Sequence, residues 1–134
     1  MARVVGPSES QIHGAVIAYL RLAARPGVAF HHSPNEGRRT RWEGAQLART
    51  GTQAGWPDLE IVAGGRAYFL EIKSERGRPT PQQATCHDAL RAAGAEVAIA
   101  RSVEEAIATL RRWNVVRDDR TATARAHNVA ERVA

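Results

Sequence analysis

The sequence predicts an α/β domain in which a mixed β-sheet is flanked by helices, in the order α-β-α-β-β-α-β-α. Three observations lead to this prediction. Segments with apolar residues at helical spacing begin at capping signals, short runs rich in β-branched and aromatic residues lie between them, and Gly64-Gly65 joins two of these runs as a tight hairpin. Because helical and strand segments alternate along one chain, the helices are expected to cover the sheet.

The first helix has a clear start signal. Gly6-Pro7 precede it, Ser8 is suited to the N-cap, and Gln11 stands three residues later, where it completes a capping box. One face of this helix is apolar and is expected to be buried against the sheet. Its members are Ile12, Val16, Tyr19, Leu20 and Ala23.

The other elements follow from similar local signals. A structureless stretch from 33 to 57 would be long for a domain of this size, and Thr40 and Glu43 form a second capping box, so a helix that ends near Gly51 is predicted there. In chain order, the remaining predicted elements are strands at 28–31, 58–63, 66–73 and 96–100, a helix from Pro81 to Gly94, and a helix from Ser102 to Arg112.

The composition is typical of one folded domain with a polyanionic partner. The 134 residues are 43% apolar, and 18 arginines and one lysine outnumber 14 acids, which gives a net charge of +5. Cys86 is the only cysteine, so no internal disulfide can form. The chain has neither a signal-peptide pattern nor an apolar stretch long enough for a membrane span, and we expect a cytoplasmic protein without a membrane partner.

The chain divides into a domain and a tail. Residues 1–112 contain all the elements named above, and residues 113–134 follow them. Within the tail, Ala122, Ala126, Val129 and Val133 recur at helical spacing and predict an extra helix. That helix could pack on the domain or on a partner subunit, and the sequence leaves both arrangements open.

The segment "GWPDLEIVAGGRAYFLEIK", residues 55 to 73, places two acids within a predicted hairpin. With the turn at Gly64-Gly65, Ala63 pairs with Arg66, and the same register puts Asp58 directly opposite Glu71. Directly opposed side chains have Cβ atoms roughly 4.5 to 5.5 Å apart, where like charges are destabilising. The sequence therefore predicts that this acidic pair has a cation nearby.

Lys73, the single lysine of the chain, stands two residues after Glu71, so the two side chains share one face of the strand. Phe69 lies on the same face, which indicates that the charged face is also partly buried. Two carboxylates beside an ammonium group suit a hard divalent metal such as Mg²⁺, which takes oxygen ligands and keeps several waters. A metal there could polarise a phosphate oxygen and activate water, which is the chemistry of phosphodiester hydrolysis.

These residues resemble a known nuclease motif. Pro57-Asp58, twelve intervening residues and then Glu71-Ile72-Lys73 are similar to the motif of the PD-(D/E)xK nuclease superfamily. With "NEGRR", "GWPDL", "LEIKSERGRPTPQQ" and "RAAGAEVAIARSVEEAI", the chain resembles the small stand-alone phage and bacterial members of the VRR-NUC family over about residues 8 to 112. Trp56 departs from the pattern, because a small aliphatic residue is expected before the Pro-Asp pair.

The resemblance implies a restriction-endonuclease-like fold and a structure-selective DNA endonuclease that depends on Mg²⁺ or Mn²⁺. It implies that Asp58, Glu71 and the backbone carbonyl of Ile72 hold the metal, and that Lys73 lies near the attacking water. Branched DNA such as a Holliday junction is the implied substrate. Because a small domain has one site and a symmetric junction requires two cuts, a homodimer is also expected.

Two further site residues follow from the resemblance, and each has a structural alternative. Glu9 matches an acid on the first helix that completes the metal site, and its spacing from Ile12 places it on the inward stripe. It could instead be a first-turn acid that suits the helix dipole. Gln83 matches a glutamine that follows the "TP" of the next helix, but it could serve only as the capping-box partner of Thr80.

An arginine-rich segment is the candidate DNA-binding arm. Arginines fork onto phosphates and aromatic rings can stack on exposed bases. A simpler interpretation is that the arginines form a solvated helix face while the ring packs on the other side. For Trp42, at the centre of the segment, we therefore expect inward packing. The family-like positions are Asn35 and Arg39, and the candidate DNA-binding residues are Asn35, Arg38, Arg39 and Arg41.

Two alternatives complete the interpretation. A nucleic-acid-binding module that keeps the fold without turnover, or a nuclease subunit that needs a partner, would share most of these features. The intact Asp58, Glu71 and Lys73 argue against the binding module.

The histidines lack zinc-ligand spacing and are interpreted as structural or surface residues: His13, His31, His32, His87 and His127.

Overall fold

One mixed sheet of four strands forms in the computed structural model, which describes residues 6–34 and 40–132. The strands are β1 (Ala29–His32), β2 (Leu59–Ala63), β3 (Arg66–Ile72) and β4 (Glu96–Ala100), in that spatial order. The pairs β1–β2 and β2–β3 are antiparallel, and β3–β4 is parallel. The helices are α1 (Glu9–Ala23), α2 (Arg41–Arg49), α3 (Pro81–Ala92), α4 (Val103–Arg112) and α5 (Arg120–Arg132). The predicted order is thus confirmed as far as α4, and α5 follows it. Across the described residues, we find no helix with the length and apolar character that a membrane crossing needs.

Side-chain caps start the helices where the sequence predicts them. In α1, the Ser8 hydroxyl accepts from the Gln11 backbone N–H at 3.1 Å while the Gln11 side chain accepts from the Ser8 N–H at 2.7 Å. The same reciprocal box starts α2 and α3, and Ser102 caps α4. Each cap satisfies backbone donors that have no partner within the helix, so the helix starts are encoded locally.

The hairpin register agrees with the prediction. Ala63 pairs with Arg66 and Leu59 pairs with Leu70, around a turn in which Gly64 and Gly65 have φ values of 57° and 76°. Both positions need the left-handed region, which glycine enters without steric cost. Because the turn contains two residues and no bulge interrupts the pairs, the register continues from the turn to the far end of the hairpin.

The two faces of β3 pack against different helices. Tyr68, Leu70 and Ile72 belong to the main core, which α1, α4 and α5 cover. Phe69 points to the other face, where it packs with Cys86 and Leu90 of α3. Since successive strand residues alternate between faces, Glu71 lies on the α3 side and is buried there.

The segment after α4 is part of the same core. The predicted helix in the tail forms as α5, and Ala122 and Ala126 are fully buried among core residues. Val115 and Val116, between α4 and α5, are buried as well, and the Arg25 N–H donates to the Val115 carbonyl at 3.0 Å. Of the two arrangements that the sequence left open, packing on the domain is therefore the one found. Val133 lies outside the described residues.

Helix α2 differs from the other helices because it has no buried residue. Trp42 is 70% exposed, so the prediction that this side chain packs inward is wrong. The physical reason is that the side of α2 that faces the protein carries Leu47, which is half-buried. Trp42 lies about 140° away around the helix, at about 100° per residue, and points elsewhere.

Candidate functional site

Asp58 and Glu71 bring two carboxyl groups together beyond the last β2–β3 pair. Asp58 directly precedes β2, and its Oδ2 accepts the Ile72 backbone N–H at 2.7 Å. Glu71 stands near the end of β3 and is 1% exposed, while Asp58 is half-buried. The hydrogen-bonding group and the charge of Asp58 both act on the Glu71 carboxyl, which agrees with the opposed positions that the sequence predicts. The arrangement therefore places one deeply buried acid beside a more accessible one.

The pKa of Glu71 reflects this arrangement. Burial, the largest cause, acts with the hydrogen bond to Asp58 and the charge of Asp58 to raise the pKa of Glu71 from 4.5 to about 9. Lys73 opposes the rise, and Glu9 adds a smaller contribution to it. At neutral pH and without a bound cation, Glu71 is therefore protonated, and this proton relieves the repulsion between the two acids. A divalent cation between the carboxyl groups would replace the proton, so the donor set fits a hard metal.

The backbone around Asp58 is held by neighbouring strands. The Asp58 carbonyl accepts the Ser33 N–H at 2.9 Å, and His32 Nδ1 lies 3.1 Å from the same oxygen. Pro57, just before it, is buried and restricts the local backbone. With the Oδ2 hydrogen bond to Ile72, these contacts fix both the main chain and the side chain of Asp58. The acid is thus oriented before any ligand arrives.

Trp56, the departure from the family pattern, packs on the α3 side of the sheet. Its ring meets Phe69 edge-on, with centroids 5.4 Å apart and planes at 90°. Gly55 has a φ of 82°, and a Cβ there would lie 2.6 Å from the Gln82 carbonyl oxygen. Only glycine allows this close approach between the loop before Asp58 and the first turn of α3. The loop and α3 are thereby held together next to the acidic pair.

Lys73 lies next to the acidic pair and is 8% exposed. Its backbone N–H donates to the Ala100 carbonyl of β4 at 3.0 Å, which anchors the residue just after β3 ends. Its positive charge lowers the pKa of both Glu71 and His87, so the ammonium group acts on the same buried groups. Asp58, Glu71 and Lys73 therefore converge on the α3 side of the sheet, as their spacing predicts.

His87 belongs to this site, although the sequence interpretation treated it as structural or surface. Its Nε2 lies 3.2 Å from Glu71 Oε1, and both side chains are at most 3% exposed. Burial, followed by the charges of Arg91 and Lys73, lowers the pKa of His87, so the imidazole is neutral at pH 7. In the structure, Cys86, the residue before His87, packs against Phe69. The sequence gives this neighbour but does not give which side of α3 faces the sheet, so it could not assign His87 to the site.

Glu9 and Gln83 are placed differently from the central residues. Glu9 is the first residue of α1 and lies in line with the inward stripe, but it is exposed, because burial along this stripe begins one turn later, at Ile12. Its charge still reaches Glu71, as the pKa of that residue shows. The Gln83 side chain accepts the Thr80 N–H at 2.9 Å in the α3 capping box and is half-buried. Gln83 therefore has the structural role that was its alternative interpretation.

The remaining candidate residues belong to the arginine-rich arm. Arg41 is the first residue of α2 and is exposed. Asn35, Arg38 and Arg39 lie outside the described residues. Among the residues that are described, no group of three or more His, Cys, Asp or Glu side chains could hold a metal ion. The acids available for a metal are thus the Asp58–Glu71 pair, with the Ile72 carbonyl as the further oxygen that the family resemblance implies.

Comparisons with known proteins agree with the observed fold. A solved structure named "VRR_NUC domain protein" matches 82% of this chain and 90% of its own length, with a TM-score of 0.67 and 24% identity. A second one, named "VRR_NUC domain", matches 78% of this chain and 96% of its own length, with a TM-score of 0.53 and 22% identity. No protein-family model and no curated protein matches the chain. The resemblance indicated by the sequence motifs is therefore supported by two solved structures of that name, and the chain has the fold of VRR_NUC domain proteins.

Proposed function

We propose that the protein is a metal-dependent DNA endonuclease. The observation that supports this function is the convergence of Asp58, Glu71 and Lys73 at one end of a buried hairpin. Mg²⁺ or Mn²⁺ is the cofactor that these oxygen donors fit, with Asp58, Glu71 and the Ile72 carbonyl as ligands. The chemistry supplied by such a cation is polarisation of a phosphate oxygen and acidification of an attacking water.

The residues of the chain have separate tasks in this mechanism. Asp58 is pre-oriented by its backbone hydrogen bonds, so it can receive the cation without rearrangement. Glu71, once its proton has passed to water, would supply the second negative charge for such a cation. Lys73 is buried and its positive charge acts on Glu71, so it can orient water and balance the charge that develops on the phosphate. The partial burial of this group strengthens its electrostatic effect.

The test uses labelled Holliday-junction, flap and duplex DNAs, each with EDTA, Mg²⁺ or Mn²⁺. We expect cleavage only with metal, and loss of about a thousandfold or more in Asp58→Asn and Glu71→Gln, because each variant removes a charged ligand but keeps its shape. Glu60→Gln is the matched control, since Glu60 is a half-buried acid on the same side of β2. Full activity of either site variant, or undiminished cleavage in EDTA, would contradict the proposal.

For the substrate, we propose branched DNA and a homodimer as the active form. The net charge of +5 and the exposed Arg41 support a polyanionic ligand. Two cuts in a symmetric junction require two sites, and a twofold dimer supplies them in matching orientations. Light scattering at micromolar protein with bound junction DNA is expected to give the mass of two chains. A monomer under those conditions would contradict the dimer.

A further inference from the structure

Helix α2 presents an exposed face on which a tryptophan lies beside arginines. Trp42 is 70% exposed, and Arg49 follows it by seven residues, which places the two side chains within about 20° around the helix. Arg41 lies on the same exposed side, about 100° from Trp42. Leu47 is on the opposite side, is half-buried and faces a cavity against the rest of the protein. An aromatic ring and two cations are therefore turned away from the fold together.

The position of α2 connects this face to the site. Leu47 lines a cavity of about 390 Å³ together with Ser33 and Trp56. Ser33 donates its N–H to the Asp58 carbonyl, and Trp56 is two residues before Asp58. Across this cavity, α2 thus lies near the end of the β1–β2 pair that carries the candidate metal ligand.

We propose that the face formed by Trp42, Arg41 and Arg49 binds an unpaired nucleotide of the DNA substrate, an inference that rests on the proposed function. Arginines contact phosphates, and an exposed indole ring stacks on a base. Bases inside a duplex are already stacked on both sides, so the ring is available only to a base at a flap, loop or branch. A second copy of the chain fits this face less well, because an isologous contact sets the same arginines against each other.

The experiment measures DNA affinity in EDTA, so that cleavage does not interfere. Fluorescence anisotropy compares a single-stranded oligonucleotide with its blunt duplex for the parent, Trp42→Ala and Trp42→Phe. Leu22→Ala is the matched control, because Leu22 is also an exposed apolar side chain, 42% exposed on α1. We expect Trp42→Ala to lower the affinity for the single strand by about tenfold and the affinity for the duplex by less than about twofold. Trp42→Phe should restore most of the lost affinity.

Several outcomes would overturn the inference. If Trp42→Ala binds the single strand as tightly as the parent, or loses equally on both DNAs, the ring does not stack on an unpaired base. If light scattering shows that Trp42→Ala turns a dimer into a monomer, the face belongs to a second copy. A parent protein that binds neither DNA contradicts the proposed function as well, whereas the first two results leave that function intact.

A second inference concerns His87 and stands on a separate observation. His87 Nε2 lies 3.2 Å from Glu71 Oε1 in a pocket where both side chains are almost fully buried. An ionised carboxylate only accepts hydrogen bonds, so with Glu71 ionised the imidazole must donate through Nε2–H. This contact occupies Oε1 and leaves the other oxygen of Glu71 for a ligand. The geometry points to His87 as a positioning residue that holds the Glu71 carboxylate in its metal-binding orientation.

The test measures Mn²⁺ binding by titration calorimetry without DNA, which does not depend on catalysis. His87→Leu is expected to weaken Mn²⁺ binding by about tenfold to a hundredfold, as for other hydrogen-bond partners of metal ligands. His87→Gln is expected to restore most of it, because the glutamine amide nitrogen can reach the position of Nε2. Cys86→Ala is the matched control: Cys86 is buried on the same side of α3, next to His87.

Unchanged Mn²⁺ affinity in His87→Leu would overturn the positioning role. Equal losses in His87→Leu and Cys86→Ala would do the same, because they would indicate general loss of packing. If His87→Leu does not fold, His87→Gln and His87→Asn decide the question, since the shorter asparagine amide does not reach Glu71. A parent that binds no Mn²⁺ would contradict the proposed metal site itself.

Discussion

Leu70 and Glu71 are neighbours on β3, yet they lie in two very different environments. Leu70 is fully buried in the large apolar core formed with α1, α4 and α5. Glu71 is equally buried on the other face, but its neighbours are Asp58, Lys73 and His87. One face of the sheet therefore removes apolar surface from water, while the other encloses charged and titratable groups that favour water.

The difference separates stability from chemistry within one strand. The apolar face has three helices over it, and the α3 face has a small apolar cluster of Phe69, Cys86 and Leu90 beside the polar groups. Burying an acid costs free energy unless it is protonated or paired, and Glu71 is protonated in the absence of a cation. The first face thus has to stabilise the fold enough to tolerate the second. Substitutions on the apolar face should therefore lower the free energy of unfolding, whereas substitutions of the acids on the α3 face should leave it unchanged or raise it when no metal is bound.

The largest effect on stability is expected from Leu70→Ala. Leu70 is fully buried, so its truncation removes apolar contacts and leaves a cavity that costs about 2 to 5 kcal/mol. Glu71→Gln, one residue away, is expected to leave the metal-free stability unchanged or raised, because the amide is neutral at every pH. Urea denaturation in EDTA measures both. If Glu71→Gln lowers the free energy of unfolding as much as Leu70→Ala does, the two faces do not differ in their contribution to stability.

A second prediction sharpens the chemical role of the α3 face. Lys73→Arg keeps the positive charge but replaces a compact ammonium by a longer, planar guanidinium. Displacement of a reacting group by about an angstrom can cost on the order of a hundredfold in rate. We therefore expect DNA affinity in EDTA to stay near that of the parent and single-turnover cleavage to fall by about a hundredfold. A parent-like rate would mean that Lys73 supplies only charge.

Much of the fold could be predicted because its signals are local. The capping boxes at Ser8, Thr40 and Thr80 involve residues three positions apart, and the hairpin register follows from a two-residue turn. The same register brought Asp58, Glu71 and Lys73 together on one face. These inferences need only neighbouring residues and the alternation of side chains along a strand, so the sequence alone was sufficient for them.

The failures have a common physical cause. The contact between His87 and Glu71 depends on how α3 is rotated against the sheet, and no signal near either residue contains that rotation. The exposure of Trp42 likewise depends on which side of α2 faces the protein. The aromatic character of Trp42 suggested that its own side is buried, but in the structure Leu47 is on the side that faces the protein. Spacing places Glu9 in line with the inward stripe, but spacing does not give the exposure of the first helical turn, and burial begins only at Ile12.

The last prediction uses pH to compare the two faces, since Glu71 and His87, two buried groups that titrate between acidic and mildly alkaline pH, both lie on the α3 face. The pKa of Glu71 is about 9 in the fold and about 4.5 when unfolded, so between these values the folded chain holds a proton that the unfolded chain releases. This contribution to stability is complete below pH 4.5 and is lost as pH rises through 9. His87 acts oppositely below about pH 6.5, because its lowered pKa lets the unfolded chain bind the extra proton.

Within this range the interval from pH 7 to 8 isolates Glu71 best, because the Cys86 thiol, whose pKa is also raised by burial, loses its proton in the unfolded chain only from about pH 8.5. In EDTA, the free energy of unfolding of the parent should fall there by up to about 1.4 kcal/mol per pH unit. Glu71→Gln should remove this slope, and Glu60→Gln, on β2, should keep it. Saturating Mg²⁺ should flatten the dependence of the parent's unfolding free energy on pH, because the cation would bind the ionised form of Glu71, and the folded chain would then hold no extra proton. If the parent is equally stable at pH 7 and pH 9 without metal, Glu71 is already ionised in the fold, and the α3 face is wetter and less costly than its burial indicates.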